Sequence, residues 1–439
     1  MLRTTPGARA SSSRSGGIAR WLGVLFLALT LAACGGGSDN SSSSSSGGSS
    51  GCGSSGGSTG GGTGSGSIST ATAQPDPVNN TNAVPITVNS GAANFVNIPN
   101  VSVTVCAPGT NVCQTIDNIQ LDTASFGLRL VSSAAQQVLG NLPVVQSSSG
   151  GQLAECAGFA DGYTWGTVRT ADVRMGTEQA SNIPIQIIGD LASSAAPTGL
   201  NGCPSGNDES TVAEIGANGI LGVGAATYDC GSSCASSAQN GMYFTCANGT
   251  NCTGVIAPRA QQVINPVTKF AVDNNGVIVQ LPPVADTGAA TASGTLIFGI
   301  GTQSNNALTG VTKYGTDGFG DLSGVYKGTT YQTFFDTGSN GNFFQDSFTL
   351  CSSTSSFYCP SSEQSLSTAI TGTEGNTTTV PFALVSARTL TSGGGKFAFN
   401  SLGGQLGMSG FFDFGLPFYF GRHVYVGYDL SGSAPYVSF

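Results

Sequence analysis

Ile119-Gln-Leu-Asp122-Thr-Ala-Ser125 and Thr333-Phe-Phe-Asp336-Thr-Gly-Ser339 are near repeats within one chain. Each is an apolar run ending in Asp-Thr, followed by a small residue and a serine. On a strand that enters a tight turn, this order presents a carboxylate at the loop tip, where N–H and hydroxyl groups can donate to it. Two such loops facing each other make a site of two carboxylates. Each half should also hold an apolar-apolar-Gly strand threading beneath its loop, with glycine where the crossing leaves no room for a side chain. The first half offers Asn218-Gly-Ile-Leu-Gly222-Val-Gly224 and the second Asp413-Phe-Gly415-Leu-Pro-Phe418. A third copy, Asp286-Thr-Gly288, follows Pro282-Pro283-Val-Ala with no apolar strand on either side, and reads as a surface turn.

Around these loops, short segments of period two alternate with Gly, Asn, Pro and Ser clusters: Phe95 to Val105, Ile116 to Leu121, Thr167 to Met175, Ile183 to Ile188, Lys269 to Leu281, Thr295 to Ile300, Tyr331 to Phe335 and His423 to Tyr428. That pattern predicts an all-β fold. Asn274-Asn275-Gly276, between Phe270-Ala-Val and Val277-Ile-Val, predicts a hairpin. Only Ser132 to Leu139 reads as helical.

Residues 1–33 hold Arg3, Arg9, Arg14 and Arg20, then an apolar run from Trp21 to Leu31. The run is about a dozen residues long, short of the ~20 a spanning helix needs, and it ends in small residues before Cys34. Leu31-Ala-Ala-Cys34 resembles the lipobox of bacterial lipoproteins. The resemblance implies a signal peptide over 1–33, cleavage before Cys34, lipid (palmitate among it) on that residue and a chain tethered to a membrane. Gly35 and Gly36 after the cysteine favour, by the same resemblance, the outer membrane of a bacterial envelope. Residues 34–85 are then a Gly/Ser-rich, disordered tether; ~50 flexible residues reach on the order of 40 Å.

The remainder exceeds the usual size of a single core, which predicts two lobes, 86–293 and 294–439. The net charge is −9, and more negative once the leader arginines are removed, which argues against nucleic acid as a partner. Apart from Cys34 and Cys52, the cysteines are Cys106, Cys113, Cys156, Cys203, Cys230, Cys234, Cys246, Cys252, Cys351 and Cys359. In an exported chain they read as disulfides, most simply between nearest neighbours, although other pairings stay open. His423 is the sole histidine and alternates within an apolar strand, so neither a zinc cluster nor a Ser-His-Asp site is expected. No metal or cofactor is called for, and a monomer is expected.

The two Asp loops, the segment Phe159-Ala-Asp-Gly162-Tyr-Thr-Trp-Gly166, the strand Gly219-Ile-Leu-Gly-Val-Gly224, Gly294-Thr-Leu-Ile-Phe-Gly299 and the stretch Gly415 to Asp429 together resemble pepsin-like aspartic peptidases, over roughly residues 90 to 439. The resemblance implies a bilobal all-β architecture with a few short helices and a protease or hydrolase activity. Asp122 and Asp336 would form the catalytic dyad, supported by Thr123, Ser125, Thr337, Gly338 and Ser339. Phe159, Tyr163 and Trp165 would lie on a flap against an extended peptide. The chain departs from the family's pattern at Ala124, Phe159, Arg129 and Asp413, and those departures motivate an alternative, a non-catalytic module binding peptide or glycan in the envelope. The whole chain also resembles a group of bacterial lipoproteins carrying a domain of unknown function.

Overall fold

Alternation along the strands does what the sequence pattern implies. In the strand Pro99–Cys106, Val101, Val103 and Val105 point inward while Ser102 and Thr104 face outward. Thr104 pairs across the ladder with Thr115 through their hydroxyls at 2.7 Å. The structure is a computed structural model; it describes residues 71–439 except 79–80, 352–355, 408 and 431–433. The expected leader, Cys34, Cys52 and most of the expected tether lie outside the described residues.

The fold is all-β with a few short helices. One extended sheet takes strands from both ends of the described chain: Ala83–Val88 pairs with Ala292–Phe298, which pairs with Gly276–Leu281, which pairs with Arg422–Gly427. A second sheet of seven strands runs from Leu322–Tyr326 to Phe411–Phe414 and carries the Asp336 loop. The expected lobe boundary, between 293 and 294, falls inside the strand Ala292–Phe298. No helix among the described residues is long and apolar enough to cross a membrane.

The two loops rest on different core materials. Beneath Asp122 the core is aliphatic, with Leu121, Leu128, Leu221 and Val223 all fully buried. Beneath Asp336 it is aromatic. Phe335 stacks on Phe414 with centroids 5.1 Å apart, and Phe418 lies 4.6 Å from Phe335. Burying each such ring removes ~150–250 Å² from water and orders its neighbours through edge and face contacts.

Five disulfides join Cys106 to Cys113, Cys156 to Cys203, Cys230 to Cys234, Cys246 to Cys252 and Cys351 to Cys359, the nearest-neighbour pairing. The hairpin expected at Asn274-Asn275-Gly276 does not form. Pro266 starts a 3-10 turn over Pro266–Lys269, capped by the Asn265 side chain, so the run before the turn is not a strand. Asn275 instead holds both the N–H and the carbonyl of Ile300, and Gly276–Leu281 pairs with strands far along the chain. The only α-helix in the stretch 132–139 is Gln136–Leu139.

Candidate active site

The strand Cys113–Asp122 lies parallel to Gly219–Val223 with Asp122 opposite Gly222, and Phe126–Val131, which follows the loop, lies antiparallel to that same strand. The second half repeats the device. Thr329–Phe335 lies parallel to Phe411–Phe414, and Asn342–Phe343 lies antiparallel to it. A third strand is thus threaded beneath each Asp loop. The glycines permit it: a Cβ on Gly222 would stand 2.5 Å from the Phe126 nitrogen, and one on Gly415 would stand 2.1 Å from the Gly341 oxygen.

The threonines lock the loops crosswise. Thr123 Oγ1 donates to the Phe335 carbonyl at 2.9 Å and accepts from Thr337 N–H at 3.0 Å. Reciprocally, Thr337 Oγ1 donates to the Leu121 carbonyl at 2.8 Å and accepts from Thr123 N–H at 3.1 Å. Thr123 Oγ1 has spent its hydrogen, so the Tyr419 hydroxyl 2.9 Å away is the donor in that contact. Gln120 adds a further tie, its Nε2 donating to the Gly338 carbonyl at 2.8 Å.

The lock brings two carboxylates together. Asp122 Oδ1 accepts from Ala124 N–H at 2.9 Å and Ser125 N–H at 3.1 Å, while Oδ2 accepts from Ser125 Oγ at 2.6 Å. Asp336 Oδ1 accepts from Gly338 N–H at 2.7 Å, and its Oδ2 lies 3.0 Å from Ser339 Oγ. Both aspartates have 0% exposure. Burial pushes the Asp336 carboxyl well above the ordinary carboxylate range, and the nearby carboxylates Asp122 and Asp413 push it the same way, Asp122 also by a side-chain hydrogen bond.

Ala124 does not disturb this geometry. Its N–H reaches the carboxylate as the glycine of the second loop does, at 2.9 Å against 2.7 Å. Neither Ala124 nor Gly338 has a positive φ, so the position makes no demand that only glycine meets.

Phe159, Tyr163 and Trp165 fall on one hairpin, Gln152–Gly158 with Gly162–Met175, whose turn closes with Phe159 N–H on the Gly162 carbonyl at 2.7 Å. Trp165 is not a binding-face residue. It is fully buried in a satellite cluster with Phe244, Ala196 and the Cys156–Cys203 and Cys246–Cys252 disulfides, with Tyr163 packed against the same cluster. On the face that carries positions 163 and 165, Phe244 from the strand next to the hairpin in the same sheet, the two disulfides and Ala196 pack around Trp165, which is why alternation alone misassigned it. Phe159 is 8% exposed and packs with Val131, Ile220 and Tyr243.

Arg129 stands on the strand that leaves the Asp122 loop and is fully buried. Its guanidinium is hydrogen-bonded to Glu155, to Asp229 at 3.0 Å and to the Phe126 carbonyl at 2.8 Å. Tyr243 closes the cluster with its hydroxyl 2.8 Å from Asp229. Burial opposes the charge on Arg129, but the two carboxylates hold its pKa above the usual value. Burial and then Glu155 push Asp229 well above the carboxylate range, so the two carboxyls titrate as one coupled pair around the guanidinium. Asp286 sits in an exposed turn closed by Gly288 N–H on the Ala285 carbonyl at 2.7 Å. His423 bonds the Gln74 carbonyl at 2.8 Å on the extended sheet.

Two residues at the site escaped the sequence reading. Tyr419 carries the one hydroxyl in the apolar run Leu416 to Phe420, and that isolated polar atom was the available signal. Gln120 was hidden by an expectation of uniform apolarity in the strand before the loop.

Duplicated strand–loop–strand units that pair two aspartates define an all-β protein with a candidate acid–base site. The chain belongs to DUF3443, a family described as a protein of unknown function, which it matches over residues 78–439. No curated protein matches it. Among solved structures, the aspartic proteinase from Irpex lacteus is similar at 18% identity and a TM-score of 0.47, over 81% of this chain and 96% of that one.

Proposed function

We propose that this protein is an aspartic-type endopeptidase that hydrolyses extended peptides through Asp122 and Asp336. The observation carrying the reading is the reciprocal lock of Thr123 and Thr337, which holds two buried carboxylates together on loops from opposite halves of the chain. In this reading Asp336, pushed up by burial and by its carboxylate neighbours, holds the proton and donates it to the substrate carbonyl. Asp122 is the ionised member and takes a proton from the attacking water. The proton that leaves water and the proton that reaches the carbonyl balance within the dyad, and no covalent intermediate forms. The halves 86–293 and 294–439 would act as the two lobes of the peptide cleft, with Phe159 and Tyr163 on its hairpin margin.

The test is turnover of a mixed peptide library from mild acid to neutrality, with a statine-type inhibitor as control. Asp122→Asn and Asp336→Asn should each abolish cleavage. Cleavage that survives both changes would refute the reading. One observation favours a second reading, a non-catalytic peptide- or glycan-binding module: both carboxylates are sealed from solvent, at 0% exposure. Saturable binding of peptides without dyad-dependent turnover would select it.

The leader sequence supports a further part of the proposal, in which Cys34 carries lipid and the chain is held in a bacterial envelope, at the outer membrane. Incorporation of a palmitate analogue that disappears in Cys34→Ser is the expected result. Incorporation that persists in the variant would overturn it.

A further inference from the structure

The duplicated site is unequal at one point. In the first half Ser125 Oγ serves Asp122, and the threading strand carries Ile220. In the second half the matching position of the threading strand is Asp413, fully buried, and Ser339 Oγ stands between it and the dyad, 2.5 Å from Asp413 Oδ2 and 3.0 Å from Asp336 Oδ2. A serine hydroxyl has one hydrogen and can donate to only one carboxylate at a time. Both contacts are hydrogen bonds only if one of the two carboxyls is itself protonated and donates to Ser339.

The two ways of placing that proton differ in their consequence. A proton on Asp336 Oδ2 would be spent on Ser339. A proton on Asp413 makes a relay, Asp413 Oδ2–H to Ser339 Oγ–H to Asp336 Oδ2, and leaves the Asp336 proton to be shared with Asp122. The setting favours the second arrangement. Asp413 lies on an aromatic strand between Phe412 and Phe414, opposite Phe334 and Phe343. The titratable groups facing this site are Asp336, Asp122 and Tyr419, the last from the short helix Leu416–Tyr419. Close carboxylates in a dry setting cannot all ionise cheaply.

We propose that Asp413 is a positioning residue that holds a proton and, through Ser339, orients Asp336, so that the site is a unit of three carboxylates rather than two. Its kinetic consequence rests on the peptidase reading above, but its proton inventory does not. As pH rises, loss of the Asp413 proton would place a second anion beside the dyad.

The experiment uses the full chain and its Asp413→Asn variant, labelled with carbon-13 aspartate, and counts protonated carboxyls by NMR at neutral pH. Asp229 contributes to both proteins, so the difference is what matters: the variant should lack one protonated carboxyl. Loss of an ionised signal instead would overturn the proposal. In peptide cleavage, Asp413→Asn keeps a neutral donor to Ser339 and should leave the basic limb of the kcat profile in place, whereas Asp413→Leu breaks the relay, weakens the Ser339 hydrogen bond to Asp336 and should move the limb up. A residue that merely packs would lower stability and leave the limb in place in both variants, which would also overturn it. Asp413→Leu is the second variant, should the asparagine fail to fold; a neutral Asp413 tolerates it, and the same carboxyl should vanish. If the wild type shows no turnover, the peptidase reading fails alone and the carboxyl count still decides this one.

Discussion

Replacing Arg129 by methionine keeps most of the side-chain stem and removes the one cation from a fully buried cluster. Glu155 and Asp229 then share an apolar interior with Tyr243 and no counter-charge. Breaking a buried pair by removing one partner costs about 3–5 kcal/mol, most of it the penalty on the charge left behind. Here the penalty falls on a coupled pair, in which burial and Glu155 already push Asp229 well above the carboxylate range. We therefore expect Arg129→Met to lose about 3–5 kcal/mol at neutral pH. The loss should depend on pH with a definite sign. The stranded carboxylate can stay buried only by taking up a proton, so its folded pKa is raised above the unfolded value. The variant is then least penalised below the unfolded pKa, and its deficit grows by about 1.4 kcal/mol per pH unit as pH rises towards the folded pKa. Urea denaturation followed by the fluorescence of Trp165 measures this directly. The double variant Arg129→Met with Glu155→Gln should recover most of the loss, since it removes the stranded charge. A cost below about 1 kcal/mol, or a cost that does not change between acid and neutral pH, would refute the assignment of charge to this cluster.

Other perturbations separate the parts of the site. Thr337→Val removes one donor and one acceptor of the crosswise lock and strands the Leu121 carbonyl and Thr123 N–H; a loss of about 2–4 kcal/mol is expected in the same denaturation assay. Ala124→Gly should lower stability by about 0.4–1 kcal/mol through unfolded-chain entropy and bring no gain in peptide turnover, because the alanine already lets the backbone reach Asp122. Gly415→Ala should disrupt the Asp336 loop, seen as loss of the cooperative unfolding transition, since its methyl would meet the Gly341 and Ser339 carbonyls. Asp336 has a raised folded pKa, so its contribution to stability is present below the unfolded value and is lost as pH rises through the folded one. Asp336→Asn should flatten that part of the stability profile.

The sequence made the fold class legible because β alternation and the two Asp-Thr-small-Ser loops are local signals, each readable within a few residues. The threading glycines were legible for the same reason, since a backbone crossing dictates its residue. Cysteine spacing suggested local disulfide pairs without fixing them, and among the described residues the structure makes those pairs, Cys156 to Cys203 across 47 residues included. What could not be read is what covers a face from far along the chain. Trp165 alternates as a cleft residue would, and only the packing of Phe244 and the Cys246–Cys252 bridge makes it core. The hairpin at Asn275 failed likewise, because its side chain was taken by Ile300 and its strand by Arg422–Gly427.

The four departures from the peptidase pattern then separate by physical kind. Ala124 is neutral, because it has no positive φ and its N–H reaches Asp122 at 2.9 Å where that of Gly338 reaches Asp336 at 2.7 Å. Arg129 is a substitution with company: a guanidinium could replace an apolar side chain at that place only because Glu155, Asp229 and Tyr243 surround it. Phe159 exchanges a hydroxyl for packing against Val131 and Ile220. Asp413 is different, since a carboxyl in an aromatic strand is costly to bury unless it is neutral or bonded. Its short contact with Ser339 gives it a partner, and that partner also touches Asp336. One hydroxyl thus joins a third carboxyl to the second, so Asp413 is the departure that bears directly on the proton inventory of the Asp336 loop.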